Sequence, residues 1–170
     1  CERVHNWILE DAERRGATHG SHAGDIFHEE SGVLERLSVW KFFKRATSFC
    51  PWIVSVGNHD VPHDLDIVSS FGTTHPVYVA EYPERFVVNG VEFLCLPDTR
   101  RTDLVKELGV DARANVVSEE QLMGAAKARI AKLATDHPKS DLPRVLLCHA
   151  MLTDAKPSND QPIVRGVELN

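Results

Sequence analysis

The 170-residue chain has no apolar run long enough to cross a membrane. Its first residues, Cys1-Glu2-Arg3-Val4-His5, carry no signal-peptide pattern of basic segment, apolar core and small-residue cleavage site. With no start methionine either, this predicts a cytoplasmic protein or one whose beginning is missing. Cysteine is scarce. Cys1, Cys50, Cys95 and Cys148 form no C-x-x-C pair, so zinc-ribbon and thioredoxin readings have no support. Cys95 and Cys148 sit in apolar, strand-like runs, where a free thiol is a small buried hydrophobe. Positive charge is also short: 19 Lys and Arg stand against 25 Asp and Glu, a net charge of −6. A module that grips nucleic acid with its own surface is usually basic, so the balance argues against one. It leaves room for an enzyme whose substrate phosphate is neutralised by bound metal ions.

What is present reads as one domain over residues 1–170, without internal repeats or low-complexity tracts. Glu2 to Arg15 has the spacing of a helix with Val4, Trp7, Ile8 and Ala12 as its apolar stripe, stopped by Gly16. Thr18 to Ala23 is a short strand candidate. Ser31 is placed to cap a second helix, from about Gly32 to Arg45, with Val33, Leu34, Leu37, Trp40 and Phe43 on one face. Trp52 to Val56 reads as a buried strand, and Asp64 to Phe71 as a short helix. Val77 to Ala80, Arg85 to Asn89 and Val91 to Pro97 read as strands, with Asn89-Gly90 a hairpin signal. A helix is expected over Thr102 to Leu108. Another, from about Glu119 to Thr135, has a capping box of Ser118 and Gln121. Arg144 to Cys148 reads as a further buried strand, and the tail from Met151 to Asn170 has little periodicity. The order predicts an α/β or layered α+β domain.

Three segments carry chemistry: Gly24-Asp25, Gly57-Asn58-His59-Asp60 and Cys148-His149. Each lies just after an apolar strand, and layered α/β proteins gather ligands beyond the carboxyl ends of strands. Asp25, Asn58, His59 and His149 can therefore meet despite their separation in sequence. A carboxylate able to bridge two cations, an amide oxygen and an imidazole form a mixed set that favours manganese, iron or zinc over calcium. Two such cations can clamp both the attacking and the leaving oxygens of a phosphoester. Taken singly, Gly-Asp is an ordinary turn and a histidine after a strand an ordinary histidine. Asn, His and Asp side by side after an apolar strand are more than a turn needs.

Other residues have plainer readings. His22 and His28 flank Asp25, and His63 lies in a loop near the same region; His5, His19, His75 and His137 show no partner pattern. Arg100-Arg101 can fork onto phosphate, although adjacent arginines after a proline usually make a solvated loop. Glu29 and Glu30 favour the start of the second helix through its dipole. Trp40 and its neighbouring phenylalanines recur at core spacing.

Gly24-Asp25-Ile26-Phe27-His28, then Gly57-Asn58-His59-Asp60, then Cys148-His149-Ala150 resemble the successive motifs of calcineurin-like metallophosphoesterases. Gly-Asp-Ile-Phe-His and Trp-Ile-Val-Ser-Val-Gly-Asn-His-Asp are most similar to the SbcD-type DNA-repair exonuclease subunits. The resemblance runs from Glu2 to Asn170. It implies a β-sandwich flanked by helices, two divalent metal ions (Mn2+, alternatively Fe2+ or Zn2+) and an activated hydroxide attacking a phosphodiester in line. It further implies DNA as substrate, an SMC-like ATPase partner, a homodimer and no membrane. By position, it implies that Asp25 bridges the metals and that Asn58 and His149 ligate the second. His59 would face the scissile phosphate and Asp60 would orient His59. Apart from the resemblance, His28, beside Asp25, and Arg100, whose guanidinium can fork onto phosphate, are candidate substrate contacts.

The family's Asp-x-His motif before the first helix and its Gly-His-x-His motif near the end are both missing here. This predicts a domain incomplete at both ends, with weak metal binding and poor turnover on its own. Two alternatives stand beside the nuclease: the same chemistry on nucleotides or other small phosphoesters, and a catalytically dead partner-binding domain of the same fold.

Overall fold

The first helix, α1, spans Glu2–Arg14. Gly16, in the left-handed conformation at φ +67°, closes it, with Gly16 and Ala17 N–H groups bonded back to Glu13 and Ala12 carbonyls. The stripe it buries is not the expected one. Leu9 is buried and His5 sets its ring edge-on to Phe42, while Val4, Trp7 and Ile8 face outward, Trp7 at 65% exposure. Spacings of four and three residues link His5, Leu9 and Ala12 as well as they link Val4, Ile8 and their neighbours. Packing against the next helix selects the former.

That helix, α2, spans Val33–Ala46. Gly32 takes the cap position expected for Ser31, and its N–H donates to the Glu35 carboxylate at 2.6 Å. Phe43 and Ala46 are buried, with Val39 and Phe42 packed beside them. Val33, Leu34 and Leu37 lie outside, Leu34 at 78% exposure, so only the Phe43 end of the expected face is core.

The computed structural model describes residues 2–28, 31–61, 64–70, 73–109, 117–152 and 168–169, with the backbone alone at 119, 151, 152, 168 and 169. Among these, the chain is a mixed α/β structure of five helices and two three-stranded sheets, with one further short strand pair. Strands β1 (Gly20–His22), β2 (Trp52–Ser55) and β3 (Val77–Ala80) are parallel in the order β1-β2-β3. Parallel neighbours need crossovers; α2 supplies the first and α3 (Asp66–Ser70) the second. Strands β4 (Glu84–Val88) and β5 (Val91–Leu96) form the expected hairpin, with Asn89 and Gly90 both at positive φ as a two-residue primed turn requires. Helices α4 (Arg101–Glu107) and α5 (Glu119–Asp136) then lead to β6 (Arg144–Cys148), parallel to β5. Ser118 and Gln121 form the expected capping box of α5. β7 (Met151–Leu152) and β8 (Glu168–Leu169) pair in parallel. No described helix is long and apolar enough to cross a membrane.

β2 is buried along its whole length because both its faces are covered. Trp52 and Val54 join Leu9, Phe43 and Val68 under the helices. Ile53, on the opposite face, joins Ala80, Val88, Phe93, Cys95 and Leu147 of the hairpin side. β6 departs from expectation. It lies at the end of its sheet, only Leu147 is buried, and Leu146 is 58% exposed. An apolar run specifies a strand; its place in the strand order decides how much of it is covered.

Glu92, buried on β5, lies opposite Arg144 in the register and bonds to Arg144, Arg85 and Ser140. The Arg144 hydrogen bond, aided by Arg85 and opposed by burial, pulls its carboxyl from an ordinary 4.5 to about 2. A depressed carboxyl gives stability that is present above its ordinary value and lost as pH falls toward the folded one. The thermal midpoint is therefore expected to drop as pH falls from 4.5 toward 2, and Glu92→Gln to flatten that part of the profile. Identical acid limbs for the two proteins would dissociate this network from acid stability.

Candidate functional site

The carboxyl ends of β1, β2, β5 and β6 come together through the backbone. Asp98 N–H, just beyond β5, donates to the Val56 carbonyl at 2.8 Å, and His149 N–H, just beyond β6, to Leu96 at 3.0 Å. The loop after β1 lies close against the loop after β2. A Cβ on Gly57 would fall 2.2 Å from Asp25 N and 2.3 Å from its Oδ1; one on Gly24 would fall 2.4 Å from His149 Nδ1. Gly24 also has φ +110°. Glycine at both positions is a condition of the approach.

Asp25 itself sits at φ +55°, uncommon for a residue with a side chain. Asp60 holds it there. The Asp60 side chain is 1% exposed and accepts from the N–H groups of Asp25 at 3.0 Å, Phe27 at 3.1 Å and Gly57 at 2.8 Å. The role expected of Asp60 is to orient His59. Its carboxylate turns to backbone amides, and among the described hydrogen bonds none joins it to the His59 ring. Burial forces the choice, because three amide donors lie within its reach and the His59 ring is exposed.

Asp25, Asn58 and His149 converge. His149 Nε2 is 2.9 Å from Asn58 Oδ1 and 3.5 Å from Asp25 Oδ1, and Asp25 Oδ1 also accepts from His59 N–H at 3.1 Å. His149 Nδ1 lies 2.9 Å from the Ala23 carbonyl. A carbonyl only accepts, so Nδ1 donates to Ala23. Nε2 faces a carboxylate oxygen and an amide oxygen, which also only accept. The ring therefore either donates from Nε2 to them or turns an Nε2 lone pair toward a cation held between the three.

No protein-family model matches the chain, and no curated protein matches it. Among the described residues no group of three or more His, Cys, Asp and Glu side chains is placed to hold a metal ion. The converging trio has one carboxylate, one imidazole and one amide.

His28 and His59 are both exposed, their rings stacked 5.7 Å apart at 21°. Arg100, expected at a substrate, donates from Nη2 to the Asp60 carbonyl at 2.9 Å and ties the start of α4 to the loop. His22 Nδ1 accepts from Gly24 N–H at 3.3 Å. Burial pushes its pKa down, against Asp60 and Asp25, which raise it. His63, Glu29 and Glu30 lie outside the described residues.

Sequence reasoning also passed over Asp98, whose N–H bonds to Val56 at the same strand ends. Burial raises its carboxyl pKa, opposed by His149 and Arg100, and Asp25 raises it further. The signal was available: Asp98 follows the apolar run of β5 as Asn58 follows that of β2. Without a motif around it, it read as the start of a loop.

Proposed function

We propose that this chain is the metal-binding portion of a calcineurin-like metallophosphoesterase of the SbcD type, acting on phosphodiesters of DNA. The observation that carries this reading is the convergence of Asp25 Oδ1, Asn58 Oδ1 and His149 Nε2 on one point. The residues fit a divalent cation. Two ligands about 2.1 Å from one ion at right angles lie about 3.0 Å apart, and the spacings here are 2.9 and 3.5 Å. The Nδ1–H bond to Ala23 is the backbone-carbonyl support common behind ligating histidines. The cluster joining Ile53 to Phe93 and Cys95 supports the two-sheet packing of that fold.

Asp25, Asn58 and His149 would hold the metal. Bound divalent cations, manganese by this donor set, would supply Lewis acidity and charge neutralisation at a phosphoester. The chain's own contributions are positional and protolytic. Asp60 and the two glycines fix the ligand loops. His59, exposed at the mouth, is free to face the scissile phosphate and protonate the leaving oxygen. A cytoplasmic nuclease subunit serving an SMC-like ATPase, self-associated as a homodimer, completes the proposal. A second reading, with nucleotides or small phosphoesters as substrates, is favoured by the net charge of −6, which repels a long polyanion.

Manganese titrated into this chain should bind weakly at Asp25 and His149. Asp25→Ala and His149→Ala should each weaken it by at least about 10-fold, more than a supporting residue usually does. Unchanged affinity in both variants would remove the metal reading. Manganese-dependent cleavage, assayed on DNA and on an aryl phosphodiester, separates the substrates; activity surviving His59→Ala would deny that residue its role.

A further inference from the structure

Two stretches carry the site: residues 23–28 and 31–32 after β1, and residues 56–61 and 64–65 after β2. They are fastened to each other on either side of His28, and Asp25 Oδ1 also accepts from His59 N–H at 3.1 Å. The inner fastening is Asp60, which accepts N–H groups from Asp25 and Phe27. The outer one lies beyond the histidines. Ser31 Oγ donates to Asp64 Oδ2 and accepts from Arg36 Nε at 2.7 Å, while Arg36 Nη2 lies 3.0 Å from Asp64 Oδ1. Ser31 is buried, the Asp64 side chain is only 10% exposed, and Asp64 N–H closes a turn onto Val61 at 3.1 Å. His28 lies between the fastenings on the first loop; His59, on the second, directly precedes Asp60, and the two rings stack.

We propose that Ser31, Arg36 and Asp64 form a positioning network that sets the spacing of the His28–His59 imidazole pair at the mouth of the site. The inference deepens the phosphoesterase reading, on which it rests for the role of His59. Neither ring is buried, so packing does not hold them in place. His59 is held beside the inner fastening by its own N–H bond to Asp25 Oδ1, so the position of His28 against it depends on how the first loop is tied on the far side of His28. The outer fastening supplies that tie. Its chemistry is specific: the guanidinium forks, one arm to a hydroxyl and the other to a carboxylate, which a lysine ammonium cannot reproduce. Partial burial of Asp64 strengthens the pairing over a surface ion pair, because solvent competes less for it. Among the described contacts, none joins the network to Asp25, Asn58 or His149, so it can be altered without touching the proposed ligands.

The test is aromatic NMR of the full chain. In the wild type, an inter-ring cross-peak and a ring-current shift of the His59 protons, removed by His28→Ala, report the stack. Ser31→Ala and Arg36→Lys should abolish both, Ser31→Thr should keep them, and the His149 ring signal should stay in place in all three. A stack unchanged in Ser31→Ala overturns the proposal, and so does Ser31→Thr losing it as fully as Ser31→Ala. If Ser31→Ala melts below the measuring temperature, Arg36→Lys carries the same comparison. Manganese broadening of the wild-type His149 signal tests the metal reading separately. A stack lost in the variants without that broadening supports the network and rejects the metal.

Discussion

Asp60→Ala is expected to cost on the order of 3–5 kcal/mol of folding stability, because it orphans three amide donors, each worth about 1–3 kcal/mol when buried. The three are the N–H groups of Asp25, Phe27 and Gly57, all now on one carboxylate. The left-handed conformation of Asp25 adds to the loss, since φ +55° persists only while its surroundings enforce it. Asp60→Asn should fall between the two. Its single oxygen can keep the Asp25 and Gly57 bonds, but its amino group then meets Phe27 N–H, donor against donor. Urea denaturation at constant slope orders the three proteins. A loss for Asp60→Ala below about 1 kcal/mol, the ordinary scale of a point substitution, would mean that the clamp is not what holds the loops.

Gly57→Ala is expected to abolish manganese binding and to destabilise the chain by about 1–3 kcal/mol, the usual scale of overpacking. The obstacle is contact with Asp25. The added carbon would sit 2.2 Å from Asp25 N and 2.3 Å from Oδ1, so the proposed bridging carboxylate has to move. Gly90→Ala is the matching control. It has φ +79° but nothing within 4 Å of its added carbon. Its cost should be the left-handed strain alone, about 1–2 kcal/mol, with manganese binding intact. Gly57→Ala that binds manganese and melts like the wild type would show that the two loops approach less closely than these distances require.

Much of the fold was legible in the chain. Local rules fix what depends on neighbours in sequence. Asn89-Gly90 had to turn, Gly16 had to end a helix, Ser118 and Gln121 had to cap one, and the apolar run at Trp52 had to be a strand. The meeting of Asp25, Asn58 and His149 followed from a similar regularity, that residues just past parallel strands share one edge.

Errors gathered where two local solutions were equally good or where the partner lay far away. The spacing in α1 permits two stripes, and only Phe42 on α2 decides for the one with Leu9 and His5. Ser31 has the chemistry of a cap, yet Asp64, 33 residues on, takes its hydroxyl and leaves the capping to Gly32 and Glu35. Asp60 stands beside His59 in sequence but turns its carboxylate inward to backbone donors of another loop. The sequence alone determined the elements and the inventory of donor atoms, because dihedral preference and side-chain chemistry are local. Tertiary structure alone decided which faces are covered and which backbone donors the Asp60 carboxylate takes, because burial and hydrogen-bond partnership depend on residues the chain brings in from a distance.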